Sequence, residues 1–359
     1  MPPVQPQIYW SLQAGRGIAA ILIVVYHTAA MMGTDQPYWR IPLLHQRFTG
    51  FALGVQFFFV LSGAVILLAH FDDIGHPAAL PAYLWKRFRR VYPIYWFVLT
   101  FILVSYAWRP ELRASPKAGF LVIVSNYLLI HLGTLEVNLN VAWTLFHETL
   151  FYAVFCLFLI RRNLGLFVLG LWGSLCVLMV FLHGPVGLRE YLIAPVNVLF
   201  AFGMLAAWLL RTIPIPRAGI IAALGTAVIT TAIVVACLRF DLGNPVQYLA
   251  GIGAALLILG TARLEELGRL TIPHALRFFG DASYSIYLIH FPFLTLITPF
   301  VYRTWLRQPV PPILPFVFLP IFAIAAGCAM RIWIERPLLK LLSRHKPGWA
   351  QMTKEGRHA

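Results

Sequence analysis

The sequence specifies an all-α, polytopic membrane helical bundle of about ten transmembrane helices, with one further segment that is re-entrant or broken. Three observations predict it. Hydrophobic residues make up 60% of the 359-residue chain and charged residues only 11%, with a mean hydropathy of +0.78, whereas soluble domains carry about 25% charged residues. The apolar residues fall in runs of about 15–20, each long enough to cross a hydrocarbon core about 30 Å thick. Backbone groups in lipid must be paired internally, and runs such as Leu164–Leu182 lack the period-two alternation of an outer-membrane strand, so these runs are helices.

Taken in order, the apolar segments are Gly17–Met32, Phe51–His70, Val91–Trp108, Ala118–His131, Val141–Ile160 and Leu166–Leu182, then Ala194–Leu210, Ala218–Leu238, Val246–Ala262, Tyr284–Val301 and Ile313–Ile334. Basic residues sit at their ends: Arg16, the cluster Lys86, Arg87, Arg89 and Arg90, the pair Arg161 and Arg162, and the tail from Arg336 to Lys346. Such charge belongs on cytoplasmic loops. Eleven simple crossings cannot place all of it inside. Counted forward from a cytoplasmic N-terminus, Arg161 and Arg162 fall outside; counted back from a cytoplasmic tail, Lys86–Arg90 do. One non-crossing segment between residues 91 and 131 repairs both counts. Ala118–His131 is the shorter candidate, about 21 Å of helix. The expectation is therefore a multi-pass protein of a bacterial inner membrane with both termini cytoplasmic. A membrane domain spans residues 1–342, and a polar, basic, disordered tail spans 343–359.

The net charge of +15 is topogenic on this reading. No basic stripe, zinc spacing or recognition helix points to nucleic acid, and the partners expected on charge alone are anionic lipids. Cys156, Cys176, Cys237 and Cys328 all lie inside apolar runs with no metal or redox spacing, so they are packing residues and no metal is expected. The polar, Pro-rich N-terminus enters the first helix without a small-residue cleavage site, so no removable signal peptide is expected.

Five constellations could carry chemistry. In QAGRGIAAILIVVYHTAA, Arg16 and His27 are eleven residues apart, which brings them within about 20° of one helical face and about 16 Å apart along the axis. An ionisable group that deep costs about 2.5–3.5 kcal/mol when charged, and so faces a bundle interior or wet cavity; a topogenic arginine plus a structural histidine is the plainer alternative. In AWTLFHETLFY, Thr144, Glu148 and Tyr152 form an i, i+4, i+8 stripe. Glu148 is the lone acid there and needs an internal partner, while His147 lies about 100° away and could face lipid or the interface. In GDASYSIYLIHFP, Ser283, Tyr287 and His290 share a face, and Asp281 and Ser283 suit a helix start. The tyrosines there could equally be interfacial anchors. Arg331 and Glu335, one turn apart before Arg336 and Pro337, read as an intrahelical ion pair. Finally, LWKRFRRVYPIYW offers positive-inside charge or a cradle for a phosphorylated cofactor.

Together these strings resemble the acyltransferase 3 family of bacterial membrane acyltransferases. GRGIAAILIVVYH, FFFVLSGAVI, WKRFRRVYPIYW, WTLFHETLFY, GDASYSIYLIHFP and WIERP occur in that family's order over about residues 10–340. The chain looks like the exopolysaccharide-acetylating branch, since it ends soon after the last helix while members with an attached extracellular esterase-like domain are longer. The resemblance implies transfer of an acyl group, usually acetyl from cytosolic acetyl-CoA, to an external or lipid-linked carbohydrate. The family's basic residue and histidine match Arg16 and His27, its R-x-R element matches Arg87 and Arg89, with Arg90 adjoining, and its tryptophan-to-glutamate motif matches Trp143 and Glu148. His147 replaces the more usual acid beside that glutamate. The glutamate before Arg-Pro matches Glu335. His27 would then take the proton of an acceptor hydroxyl, or carry the acyl group covalently, with Glu148 orienting the imidazole and Arg16, Arg87 and Arg89 holding the CoA phosphates. A proton-coupled transporter or carrier of lipid-linked sugars is the rival class, although no repeat of broken helices supports it. Small residues in several helices permit close packing and leave a homo-oligomer open.

Overall fold

The computed structural model describes residues 9–33, 39–107, 119–130, 136–181, 191–308 and 310–344, and among these it is helical with no strand. The helices are α1 (Trp10–Gly33), α2 (Pro42–Phe48), α3 (Gly54–His70), α4 (Leu80–Ala107), α5 (Phe120–Leu128), α6 (Trp143–Ile160), α7 (Arg162–Leu178), α8 (Val198–Thr212), α9 (Ala218–Arg239), α10 (Asn244–Glu266), α11 (His274–Arg307), α12 (Ile313–Met330) and α13 (Arg336–Arg344). Nine helical stretches among the described residues are long and apolar enough to cross a membrane, and α7, with 17 residues, is a shorter apolar helix. Large side chains such as Phe101, Phe167, Leu238 and Phe300 stand exposed, an arrangement that suits lipid and not water.

Ala118–His131, the shorter candidate for the non-crossing segment, holds only a short described helix. The described helix is Phe120–Leu128, nine residues, or about 14 Å. Leu129 then adopts a left-handed conformation, φ 53°, and closes it. The ends of that predicted segment, Ala118 and His131, lie outside the described residues.

The chain divides into two compact units, Met1–Ala69 with Val198–Cys328, and His70–Asn197 with Ala329–Ala359. In the first, α9 pairs closely with α10, α10 with α8, and α1 with α11. Small residues set these distances. A Cβ on Gly17 would stand 2.8 Å from the Gly280 amide nitrogen, and one on Gly280 would run into the Gln13 carbonyl. Backbones therefore touch where α1 meets α11. Beyond that point Ala20, Val24, Ala282 and Ile286 form a buried apolar seam.

These contacts fix the relative directions of three helices in the first unit. Gly17 meets Gly280, and further along His27 meets His290 (ring centroids 5.3 Å apart), so α1 and α11 run parallel. Glu265, at the end of α10, accepts hydrogen bonds from the Trp10 and Ser11 amides (2.7 and 2.8 Å), so α10 runs antiparallel to α1.

The Glu265 carboxylate also satisfies amide donors that every helix start leaves unpaired. Tyr9, just before α1, donates to Glu266 (2.5 Å). Burial, reinforced by that carboxylate, pushes the phenol above its usual range.

In the second unit α6 packs on α7 and α4. A π-helical turn, Arg331–Glu335, joins α12 to α13, and such turns interrupt α-helices most often at functional sites. Ser343 and Arg344, expected in the tail, close α13; residues 345–359 lie outside the described residues.

Candidate active site

The first unit holds a row of rings around His27. α1 is unbroken from Trp10 to Gly33, so Arg16 and His27 share one helix as expected. The His27 imidazole is partly buried, with Tyr26 at 4.9 Å, Phe291 at 5.1 Å and His290 at 5.3 Å between ring centroids. It is thus turned toward α11. Tyr287 lies 5.8 Å from His290, and Tyr26 lies 5.7 Å from His45 on α2. His45 escaped the sequence reading because only the packing of α2 against α1 brings it to the row, whereas Tyr26 is His27's neighbour in the chain. A Cβ on Gly33 would meet the His45 Cβ. Arg16, half-buried, reaches Gln13 Oε1 at 3.5 Å.

Of the stripe Ser283, Tyr287 and His290, all three are buried, but only Tyr287 and His290 join the row. The Ser283 hydroxyl donates to the Gly280 carbonyl (2.7 Å) within its own helix. The helix start expected at Asp281–Ser283 is overturned: α11 begins at His274, after Pro273. Gly280 lies inside this helix, where its missing side chain serves the contact with α1.

The second unit gathers the other candidates. Tyr83 on α4 donates its hydroxyl proton to the Tyr152 carbonyl on α6 (3.1 Å), and Tyr152 in turn donates to the Glu148 carboxylate. Arg87 lies over both phenol rings, its guanidinium carbon 5.7 Å from each centroid, a cation–π clamp from two helices. Its Nε is buried without a hydrogen-bond partner among the described residues. Glu148 therefore has the internal partner expected of it, and Tyr152 belongs to the cluster. Thr144 donates to the Val141 carbonyl (3.1 Å) at the start of α6, and Trp143 is 40% exposed.

His147 is not at a lipid face. It is buried, and its Nδ1 is 2.9 Å from Asn197 Oδ1, with Tyr191 alongside at 5.1 Å. Asn197 supplies the partner that a buried imidazole requires, and it lies fifty residues away in sequence. Glu335 is 1% exposed and binds Arg331 at 2.7 Å and Arg90 at 3.8 Å. The intrahelical ion pair is present, and Arg90, a candidate phosphate ligand, also turns to this carboxylate. Arg89 is half-buried beside it in sequence. A further pair, His70 Nδ1 and Asp73 Oδ2 at 2.9 Å, lies where α3 ends, with the His70 ring 5.0 Å from Tyr83. Among the described residues no group of three or more His, Cys, Asp or Glu is placed to hold a metal ion.

The sequence of this chain matches a known family. The model of the acyltransferase 3 family, described as an acyltransferase domain, matches residues 9–331. The chain is 30% identical to the exopolysaccharide production protein ExoZ of Rhizobium meliloti (strain 1021) over 315 residues, which take in 82% of this chain and 91% of that protein. It is 24% identical to the peptidoglycan O-acetyltransferase OatA of Listeria monocytogenes serovar 1/2a over 325 residues, 80% of this chain and 50% of that protein. Protein 2 in the picA locus of Rhizobium radiobacter is 28% identical over 194 residues, 49% of this chain and 95% of that protein. No solved structure matches at a comparable level. The chain is a multi-pass membrane protein and belongs to the acyltransferase 3 family.

Proposed function

We propose that this protein transfers an acyl group, acetyl foremost, from cytosolic acyl-CoA to a hydroxyl of an exopolysaccharide, lipid-linked sugar or other surface carbohydrate. The observation that carries the reading is His27: in a chain of this family, its imidazole sits inside α1 and faces α11. The rings of Tyr26, Phe291 and His290 around it supply no fixed counter-charge, so a neutral imidazole is available to accept a proton. As the acceptor oxygen attacks the thioester carbonyl, His27 takes its proton. The C–S bond then breaks, and the thiolate leaves with the electron pair.

Arg87 and Arg89 hold the CoA phosphates. The clamp of Tyr83 and Tyr152 fixes the Arg87 guanidinium, and its buried, unpartnered Nε is the kind of donor a phosphate oxygen satisfies. Glu148 acts here as a positioning residue, since its carboxylate holds the Tyr152 hydroxyl whose ring backs Arg87. Arg16, Lys86–Arg90 and Arg161–Arg162 then lie on the cytoplasmic side of a bacterial inner membrane.

Replacing Arg87 with Ala is expected to raise the KM for acetyl-CoA about tenfold or more, the order expected of one lost charge-assisted contact, with a smaller change in kcat. Steady-state transfer of labelled acetyl to glycan measures both. An unchanged KM would remove Arg87 from the donor site.

A further inference from the structure

We infer that His290 is the second imidazole of the reaction, a positioning residue that holds the proton His27 takes from the acceptor. The inference rests on His27 being the base. Three features of the first unit carry it. His290 is fully buried on α11 and lies 5.3 Å from the His27 ring between centroids, with a 38° tilt. Its Nδ1 is 3.1 Å from the Ile286 carbonyl one turn back. A carbonyl only accepts, so that nitrogen carries the hydrogen and Nε2 is the one with the lone pair. Nε2, in turn, is buried with no hydrogen-bond partner among the described residues. Buried ring nitrogens are ordinarily paired, and an unpaired basic nitrogen beside a second imidazole has an evident use.

A side chain so completely enclosed cannot reach a sugar or a thioester, but it can exchange a proton with its neighbour. The acceptor O–H bond breaks as the new O–C bond forms, and the proton enters the open ring nitrogen of His27. The hydrogen on the other His27 nitrogen passes to His290 Nε2. When the C–S bond breaks, the thiolate sulfur keeps the electron pair, and the proton returns through His27 to it, leaving CoA as the thiol. The groups facing this pair are Tyr26 on α1, His45 on α2 and Tyr287 on α11. The packing around the pair fixes its spacing: the α1–α11 backbone contact at Gly17 and Gly280 anchors one end, and a Cβ on Gly327 of α12 would stand 2.5 Å from the Ile286 Cα.

The test is His290→Asn in purified, lipid-reconstituted full-length protein. The Asn amide keeps a donor for the Ile286 carbonyl and places nothing at Nε2. The expected result is a fall in kcat of about tenfold to a hundredfold, below the full contribution of a general base, with the KM for acetyl-CoA held within about twofold. A second readout separates proton handling from packing. At constant pH, the variant's kcat should rise with the concentration of buffer base, because solvent must now take the proton, whereas the wild-type rate should not. Wild-type kcat, or a loss of kcat with no buffer dependence, overturns the inference. If His290→Asn does not accumulate in the membrane, His290→Gln, which fills the space without a titratable nitrogen, is read by the same buffer dependence. His27→Ala run alongside distinguishes the failures. If His27→Ala is inactive and His290→Asn is normal, only the pairing is wrong; if His27→Ala is active, the base assignment falls and takes the pairing with it.

Discussion

With His27 as the proposed base, His27→Ala is expected to abolish glycan acetylation while the protein still inserts at its normal level. A positioned general base contributes about 10²–10⁴-fold, and loss of a covalent acyl carrier would cost no less. The substitution is well suited to isolating chemistry from folding. The His27 side chain is only partly buried, and the alignment of α1 with α11 is set elsewhere, by the backbone contact at Gly17 and Gly280 and by the seam of Ala20, Val24, Ala282 and Ile286. Initial rates of labelled acetyl transfer, normalised to membrane-inserted protein, measure the effect. Transfer at the wild-type rate would contradict the assignment of His27.

The second large effect is on stability. Glu335 is almost wholly enclosed and faces Arg331 at 2.7 Å and Arg90 at 3.8 Å. Removing one partner of a buried ion pair leaves uncompensated charge and costs about 3–5 kcal/mol. Glu335→Ala leaves two guanidinium groups facing each other across the space the carboxylate held. We expect a clear fall in thermal unfolding temperature in detergent, and lower accumulation in the membrane. Arg90→Ala should cost much less, since that arginine is 29% exposed and its contact is longer. Equal melting temperatures for wild type and Glu335→Ala would show that the cluster adds nothing to the fold.

How much of this could be read from the sequence depended on how far apart the interacting residues lie. Helix content followed from local apolar length, and the shortness of Ala118–His131 was visible in the same way, because both signals sit within single segments. Arg16 with His27 and Arg331 with Glu335 were legible for the same reason, as spacings on one helix. The Glu265 cap on α1 joins residues 255 and 254 apart in sequence, and the Arg90–Glu335 and His147–Asn197 contacts are likewise long-range. No periodicity reports them. His147 read as lipid-facing or interfacial because helical angle alone was available, while its partner Asn197 sits beyond another helix. The GDAS string misled in an instructive way. Gly before Asp and Ser is the composition of a helix start, yet Gly280 is there to let the Gln13 carbonyl approach, so the helix runs on through it. Tyr152 was visible in the Glu148 stripe, but its place with Tyr83 in a clamp on Arg87 needed both helices in position.

The account stands most directly on acyl transfer itself. Mass spectrometry of surface and lipid-linked glycans from bacterial cells with and without this protein measures it. Cells with the protein are expected to carry glycans heavier by an acyl group, removable by mild base as an ester, and His27→Ala cells are not. Glycans identical in mass in both cells, with the amount exported changing instead, would contradict it and identify a carrier.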